Sequence, residues 1–342
     1  MRPAQRTRLV PISVGFIRAA VLFSVSLTLV QAQQVTPMLL VLEKSDKMMA
    51  IVDPATAKVI AHVPAGEDPH EIVASEDGKL AYISNYGAFQ SPQHTLTVVD
   101  LVTRKPLSVV DLGSLLAPHG LEMVNGKVYF TVEGSKAIGR YDPVSQRVDW
   151  TLGLGANRTH MLVVAKDESH IYTANVNSDS ISILDRDKKG DASGWVQSTI
   201  SVGKGPEGFD VSPDGKQLWA ANSHDGTLSI VDLTTHKVTQ TIELHTKFAN
   251  RVKFAPDGKL VLVSDLGTGD LVVLEVAARK EVKRVNLGHG VAGILIAPDG
   301  SRAYVAVSPD NNVAILDLKS LSLIGRISTG GGPDGMAWAA GR

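Results

Sequence analysis

Three histidines recur at nearly regular spacing along this 342-residue sequence, at His70, His119 and His160, and Glu207 continues the series. Neutral imidazole is the commonest metal ligand in proteins, and three imidazoles with a carboxylate suit a zinc, copper or iron ion that keeps one position open. The same groups could act as general acid and base on a bound ligand. A structural role, in which each imidazole only hydrogen-bonds a neighbouring loop, is the third interpretation.

The residues that must position these side chains form an internal repeat. The segment PHEIVASEDGKLAYISN begins at Pro69, and related segments cover 69–85, 118–133, 159–175, 206–222, 249–265 and 291–307. The second residue of each copy, continued by one residue near the C-terminus, gives a series of markers: His70, His119, His160, Glu207, Asn250, Ala292 and Asp334. Their intervals are 49, 41, 47, 43, 42 and 42 residues, so seven markers predict seven structural units.

Each copy has the pattern of a β-hairpin followed by two more strands. An apolar or alternating run meets a turn such as Pro-Asp-Gly, a second run follows, a third ends in an acid, and a fourth completes the unit. Four antiparallel strands in about 40 to 50 residues are typical of one propeller blade. We therefore predict an all-β, seven-bladed β-propeller at 33–342. The N-terminus supplies three strands and 333–340 supplies one, so the C-terminal strand should close the ring in the N-terminal blade.

The repeat resembles the YVTN-type propeller repeat, and PHEIVASEDGKLAYISNYG is similar to bacterial lactonase-type seven-bladed propellers. The resemblance covers nearly all of the chain after residue 32. It implies a histidine, a glutamate and arginines at one mouth of the channel, and the positions that resemble such a set are His160, Glu207, Arg158 and Arg251. With His119 as an alternative acid or base, these are the candidate catalytic residues. The alternative for both arginines is pairing with acids of the blades.

A second set of polar residues is expected at the same mouth as the markers, because the second strand of each blade should end there. It lies 15 residues after the marker in most copies and 14 in the shortened one. With Tyr86 from the segment YGAFQSPQH, which we interpret as a loop over the mouth, the predicted ligand-binding residues are: His70, Asn85, Tyr86, Glu133, Asn175, Asn222, Asn250, Asp265 and Asp334.

A divalent metal is the cofactor that the sequence suggests, with His70, His119 and His160 as its candidate ligands. Neighbouring markers of a seven-fold ring are separated by roughly 8 to 10 Å at the backbone, whereas zinc–nitrogen bonds are about 2.0 to 2.1 Å long. Two of the histidines with Glu133 or Asn85 would therefore form a site more easily than the full triad.

The first 32 residues read as a secretory signal peptide. Four arginines precede an apolar run of 12 residues at 19–30, whereas a membrane span needs about 20. Cleavage after Ala32 would leave no membrane anchor, and the product would be periplasmic or secreted. It would also change the net charge from −1 to −5, which disfavours a nucleic-acid partner. No cysteine is present, so neither a disulfide nor a thiol nucleophile is available.

Two classes of function remain open from the sequence. The first is a binding propeller that holds a small molecule, a metal or a protein segment at its polar mouth. The second is an enzyme, a lactone hydrolase or a lyase, that uses His160 or His119 as acid and base with Glu207 as partner, with or without a divalent metal. No Gly-x-Ser-x-Gly, phosphate-loop or His-Glu-x-x-His motif occurs to decide between them.

Overall fold

The computed structural model describes residues 37–88, 90–187 and 194–339, which form 28 strands in seven four-stranded antiparallel sheets. The fold class is therefore confirmed as an all-β, seven-bladed propeller. The predicted signal peptide at 1–32 lies outside the described residues. None of the helices in the described part of the chain reaches the length and hydropathy of a membrane span.

Blade 1 contains strands from both ends of the described chain, in the order β28-β1-β2-β3, and the other six blades each follow chain order. The strands of blades 1 and 2 are β1 Met38–Glu43, β2 Met48–Asp53, β3 Lys58–Pro64, β28 Pro333–Ala339; β4 Pro69–Ala74, β5 Leu80–Ala88, β6 Ser91–Asp100 and β7 Lys105–Asp111. The strands of blades 3 and 4 are β8 Pro118–Val124, β9 Lys127–Val132, β10 Ala137–Asp142, β11 Arg147–Gly153; β12 Thr159–Val164, β13 His170–Asn175, β14 Ser180–Arg186 and β15 Trp195–Ser201.

The strands of blades 5 and 6 are β16 Pro206–Val211, β17 Gln217–Asn222, β18 Thr227–Asp232, β19 Lys237–Glu243; β20 Ala249–Phe254, β21 Leu260–Asp265, β22 Asp270–Glu275 and β23 Lys280–Asn286. Blade 7 consists of β24 Val291–Ile296, β25 Arg302–Val307, β26 Asn312–Asp317 and β27 Ser322–Ser328. Three single-turn 3-10 helices follow second-position strands, at Lys44–Asp46, Val176–Ser178 and Ser308–Asp310.

The ring closes as predicted. The innermost strand β28 pairs with β1 in antiparallel register, from Met38 opposite Ala339 to Glu43 opposite Pro333. Backbone N–H groups of Lys44 and Ser45 extend this seam by donating to carbonyls of the glycines that precede β28. The inner edge of β1 is therefore covered by β28 at the closure.

The hydrophobic core is distributed between the blades. Middle strands are buried on both faces, as in Leu228–Val231, whereas the outer strand Lys237–Glu243 alternates between exposed and partly buried residues. One apolar cluster fills each interface between neighbouring blades; the cluster between blades 5 and 6, for example, contains Trp219, Leu228 and Phe254. The stability of the ring thus depends on stacking of neighbouring blades.

The turn residues that recur in the copies of the repeat hydrogen-bond the backbone of their own turns. Gly215 has φ +70°, and Asp214 accepts hydrogen bonds from Ser212 and from the N–H of Lys216, which completes the Pro-Asp-Gly turn. Asp232, one of the strand-ending acids, accepts from the N–H groups of the next turn. These residues therefore stabilise turns within the individual blades.

The inserted segment of blade 2 is not the loop that we expected. Its residues lengthen β5 and β6, where Gly87 pairs with Pro92 and Ala88 with Ser91. The hairpin continues because backbone pairing satisfies donors and acceptors that a loop would leave to water. Tyr86 therefore projects from a strand at the edge of the mouth.

Candidate functional site at the mouth of the channel

The marker residues occupy the same special backbone position in all seven blades, the first residue of a β-bulge. In blade 4, Thr159 pairs with Asn175 and Leu162 with Thr173, so two residues of β12 face one residue of β13. The same shift occurs in the inner hairpin of every blade. A bulge turns a side chain out of the regular alternation, and here it directs the seven markers to one end of the channel.

Hydroxyl groups opposite two of these bulges fix the histidines of the next blade. Ser84 donates a hydrogen bond to the carbonyl of His119 at 2.8 Å, and Thr131 donates to the carbonyl of His160 at 2.7 Å. Thr131 also accepts from the N–H of Gly120 at 2.8 Å. The hydroxyls thus connect the bulge of one blade to the marker of the next, which fixes the positions of the imidazoles.

All seven markers line one cavity of about 360 Å³ at the mouth, together with Tyr86, Arg158 and Arg251. The predicted set of inner residues is therefore brought together. The wall is completed by residues that sequence reasoning missed: Lys44, Ser45, Leu266, Ser308 and Gly332.

The Glu133–His160 pair is the most tightly built part of this mouth cavity. The ring Nδ1 of His160 lies 2.5 Å from Glu133 Oε1, and both residues are at least nine-tenths buried. Tyr86 donates its hydroxyl proton to Glu133 Oε2 at 2.6 Å, and Arg158 Nε lies 3.5 Å from the same oxygen. Burial alone would raise the pKa of Glu133, but these partners hold it below its ordinary value. The carboxylate is therefore ionised and orients the imidazole.

His119 packs against His160 with 3.8 Å between ring centroids and is 2% exposed. One ligand atom from each of His119, Glu133 and His160 lies within 4.8 Å of the other two. Burial, followed by the charges of His160 and His70, holds the pKa of His119 well below its ordinary value. His119 is therefore neutral at neutral pH, which is the form that binds metals.

His70 is brought to the same cavity but is differently bonded. Its Nε2 accepts from Lys44 Nζ at 2.9 Å, and its Nδ1 donates to the carbonyl of Asp68 at 3.0 Å. Lys44 also donates to Asp334 at 3.2 Å. Burial and the Lys44 charge lower the pKa of His70. Both ring nitrogens of His70 are thus occupied by protein groups.

Glu207 and Asn250 form the opposite wall of the cavity. Asn250 Nδ2 donates to Glu207 Oε1 at 3.1 Å, and the same oxygen lies 3.5 Å from His160 Nε2. Seven buried side-chain nitrogen or oxygen atoms of the described residues have no hydrogen-bond partner. Five of the seven belong to this cavity: His119 Nδ1, His160 Nε2, Glu207 Oε2, Asn250 Oδ1 and Asp334 Oδ1. Such atoms are costly unless something binds them.

Arg251 spans the channel below the cavity and pairs with Glu71 of blade 2 in a short hydrogen-bonded contact. Burial alone would lower the pKa of Arg251, but the Glu71 carboxylate holds it above its ordinary value. Arg251 lines both the mouth cavity and the channel beneath it. The arginines therefore do pair with acids of the blades, as the structural interpretation expected.

The predicted second set is largely turned into the blades. Asn85, Asn175 and Asn222 donate to hydroxyls within their own sheets, and Asp265 accepts from the backbone N–H groups of Lys247 and Phe248. The structure does not bring these four to the mouth cavity, whereas it does bring Glu133 to His160. The residue one position later lines the cavity in several blades: Lys44, Tyr86, Leu266 and Ser308. A shift of one position in the repeat would have found them.

The fold and the site together define a class of protein: a seven-bladed β-propeller with a histidine-rich cavity at one mouth of its channel. Residues 153–249 match the family described as Lactonase, 7-bladed beta-propeller. The matched segment contains His160 and Glu207, and it confirms the resemblance to lactonase-type propellers.

Two curated relatives match part of the chain. Antigen Lp49 of Leptospira interrogans is 26% identical over 164 residues, which are 46% of this chain and 35% of the relative. Hydrazine synthase subunit beta of Kuenenia stuttgartiensis is 29% identical over 161 residues, which are 39% of this chain and 42% of the relative. The chain thus spans less than half the length of either relative.

Solved structures share the fold. Hydrazine synthase of Kuenenia stuttgartiensis has a TM-score of 0.68 at 21% identity and covers 79% of this chain and 89% of its own. A putative 6-phosphogluconolactonase from Bacteroides uniformis has a TM-score of 0.72 at 16% identity and covers 89% of this chain and 100% of its own. At these identities the likeness concerns the fold alone.

Proposed function

We propose that this chain is an exported binding propeller whose mouth cavity holds one divalent transition-metal ion, with His119 and His160 as imidazole ligands. The observation that supports it most is the convergence of five unpartnered buried atoms on the cavity. Three of them are carboxylate or amide oxygens, which only accept, and two are ring nitrogens. A cation with its bound water is the kind of ligand that such a set of Lewis bases lacks.

Two carboxylates flank His160, and either one suits the third ligand position. Glu133 is bound to Nδ1, which leaves Nε2 directed towards Glu207 at 3.5 Å. Two ligand atoms that bind one tetrahedral ion through bonds of about 2.0 to 2.1 Å lie at about this distance from each other. In that arrangement Glu133 orients His160 from behind, as carboxylates commonly do for metal-binding histidines. In the alternative arrangement Glu133 itself binds the ion within the 4.8 Å group.

Metal retention tests the proposal. The untagged protein is loaded with Zn²⁺, dialysed against metal-free buffer, and analysed for zinc by mass spectrometry. We expect about one zinc ion per chain. His119→Ala and His160→Ala should each lose it, and the control His289→Ala should keep it, because His289 is 89% exposed. No retention by the wild type, or equal retention by the two cavity variants, would contradict the proposal.

Variants that replace each carboxylate with a neutral amide distinguish the roles of Glu133 and Glu207. Glu133→Gln and Glu207→Gln each remove one negative charge from the surroundings of His160 at nearly constant shape. Loss of an orienting carboxylate costs about 10- to 100-fold in metal affinity, whereas loss of a direct ligand should cost more. Titration calorimetry with Zn²⁺ on both variants therefore identifies the ligand.

Lactone hydrolysis is the second candidate function, and the Glu133–His160 pair favours it. An imidazole oriented by a carboxylate, with its other nitrogen unpartnered in a cavity, is suited to act as a general base towards water. The family match over 153–249 supports the same reading. A panel of lactone and lyase substrates tests it. Activity that falls about 100-fold or more in His160→Ala and Glu207→Gln, but not in His289→Ala, would support catalysis. An inactive wild type would contradict this second function and leave metal binding as the proposed function.

A further inference from the structure

A second cavity of about 630 Å³ lies beside the mouth cavity, and its volume falls within the usual range for small-molecule sites, about 300 to 1,000 Å³. Tyr86 and Arg158 line both cavities, so the two are neighbours. Glu133, which orients His160, also contributes to the wall of the second cavity. A molecule bound there would therefore reach the edge of the histidine site.

The wall of this side cavity combines an apolar surface with two cations. Ala88, Pro92 and Ala117 supply the apolar part, beside the ring of Tyr86, which is fixed by packing on His70 at 4.6 Å. The cations are Lys136 and Arg158.

The negative charge of the side cavity is already compensated. Both carboxylate oxygens of Glu133 are engaged, by His160 and by Tyr86, and Arg158 lies 3.5 Å from one of them. Lys136 forms no ion pair with another residue within 37–88, 90–187 and 194–339. The ammonium of Lys136 is therefore left to bind an anion, with Arg158 as a second donor at the inner end.

We propose that the side cavity binds a small aromatic carboxylate. Its carboxylate pairs with Lys136 and Arg158, and its flat apolar body packs between Tyr86, Pro92 and Ala117. The cations favour a single anionic group over a neutral one, and the apolar wall favours a body larger than acetate. Binding at this position does not require the metal proposed for the neighbouring cavity, so the two proposals can fail separately.

Matched probes test the charge requirement. Benzoate and phenylacetate are titrated into the full chain by calorimetry and by saturation-transfer NMR, beside benzamide, phenylacetamide and acetate. We expect the two aromatic carboxylates to bind with a Kd of about 1 mM or tighter, and their amides and acetate at least about tenfold more weakly. Equal binding of acids and amides, or no binding of either carboxylate, overturns the proposal.

Three variants test the location. Lys136→Met should weaken binding of benzoate about tenfold, and Lys136→Arg should restore it, because one ion pair to a carboxylate is removed and then replaced. Lys237→Met is the control, since Lys237 lies on the exposed outer strand of blade 5. Ala88→Trp should abolish binding by filling the cavity without changing a charge. Unchanged benzoate affinity in both Lys136→Met and Ala88→Trp would exclude this site, and zinc retention measured on the same samples reports the other proposal independently.

Discussion

Individual titratable residues inside the channel differ in how their charges are compensated. Below the Arg251–Glu71 pair, Glu122, Asp210 and Lys253 line a cavity of about 350 Å³. Asp210 raises the pKa of Lys253 above its ordinary value and keeps it charged. Burial raises the pKa of Glu122 to about 7, because it outweighs the opposing effects of the Lys253 charge and of the hydrogen bond from the Val164 N–H. Glu122 is therefore a channel residue whose charge changes near neutral pH.

Replacing Glu122 should change the pH dependence of stability. An unfolded glutamate has a pKa of about 4.3, so between that pH and about 7 the folded protein keeps a proton that the unfolded chain has released. The favourable effect of the neutral carboxyl is complete below pH 4.3 and is lost as pH rises through 7. The Glu122→Gln variant should thus gain about 2 kcal/mol over wild type in free energy of unfolding between pH 5 and pH 8.

Urea unfolding at the two pH values measures this difference. Glu67→Gln is the matched control, because Glu67 is 59% exposed and lies outside the channel. Equal pH dependence in wild type and Glu122→Gln would show that Glu122 does not titrate in this interval.

The shape of the mouth depends on the β-bulges of the inner strands. The second bulge residue is glycine in four blades: Gly120, Gly208, Gly293 and Gly335. A Cβ at Gly208 would lie 2.3 Å from the carbonyl oxygen of Asn250, and one at Gly335 would lie 2.3 Å from that of His70. The backbones of neighbouring inner strands therefore approach too closely for any side chain there. This approach brings the markers close enough together to form one cavity.

The close approach predicts a strong effect of a single methyl group. In Gly208→Ala the Cβ meets backbone atoms of Asn250 and Arg251, which cannot rotate away, so we expect a loss of about 1 to 3 kcal/mol in free energy of unfolding. In the control Gly153→Ala nothing lies within 4 Å of the new Cβ, and stability should change by less than about 1 kcal/mol. Urea unfolding compares the two. Equal stability of both variants would contradict the packing described for the mouth.

At the scale of the whole molecule, the repeat was sufficient to predict seven blades and their closure. Copies that recur at a fixed period form blades of the same kind, which stack on one another. The three N-terminal strands and the single C-terminal strand together make up one four-stranded blade. The alternation of apolar and polar residues along each strand could not reveal the β-bulges, because the pairing register between strands decides which residue of the inner strand has no partner of its own. For that reason Asn85 was expected at the cavity and Lys44 was missed. The partnership of Arg251 with Glu71 joins blades 6 and 2 across the channel, and no local pattern encodes it.

Ring closure predicts that the last strand is indispensable for the whole fold. Truncation after Gly332 removes β28, exposes the paired edge of β1 and takes Asp334 away from Lys44. An open ring loses two blade interfaces and leaves a strand edge that recruits other chains. We expect the truncated protein to aggregate or to lose its cooperative urea transition. A peptide of residues 333–342 added in trans should restore the monomeric state and the cooperative transition. Truncation after Ala339, which retains β28, is the control. A monomeric truncated chain that unfolds cooperatively at the wild-type midpoint would refute closure by β28 as the source of stability.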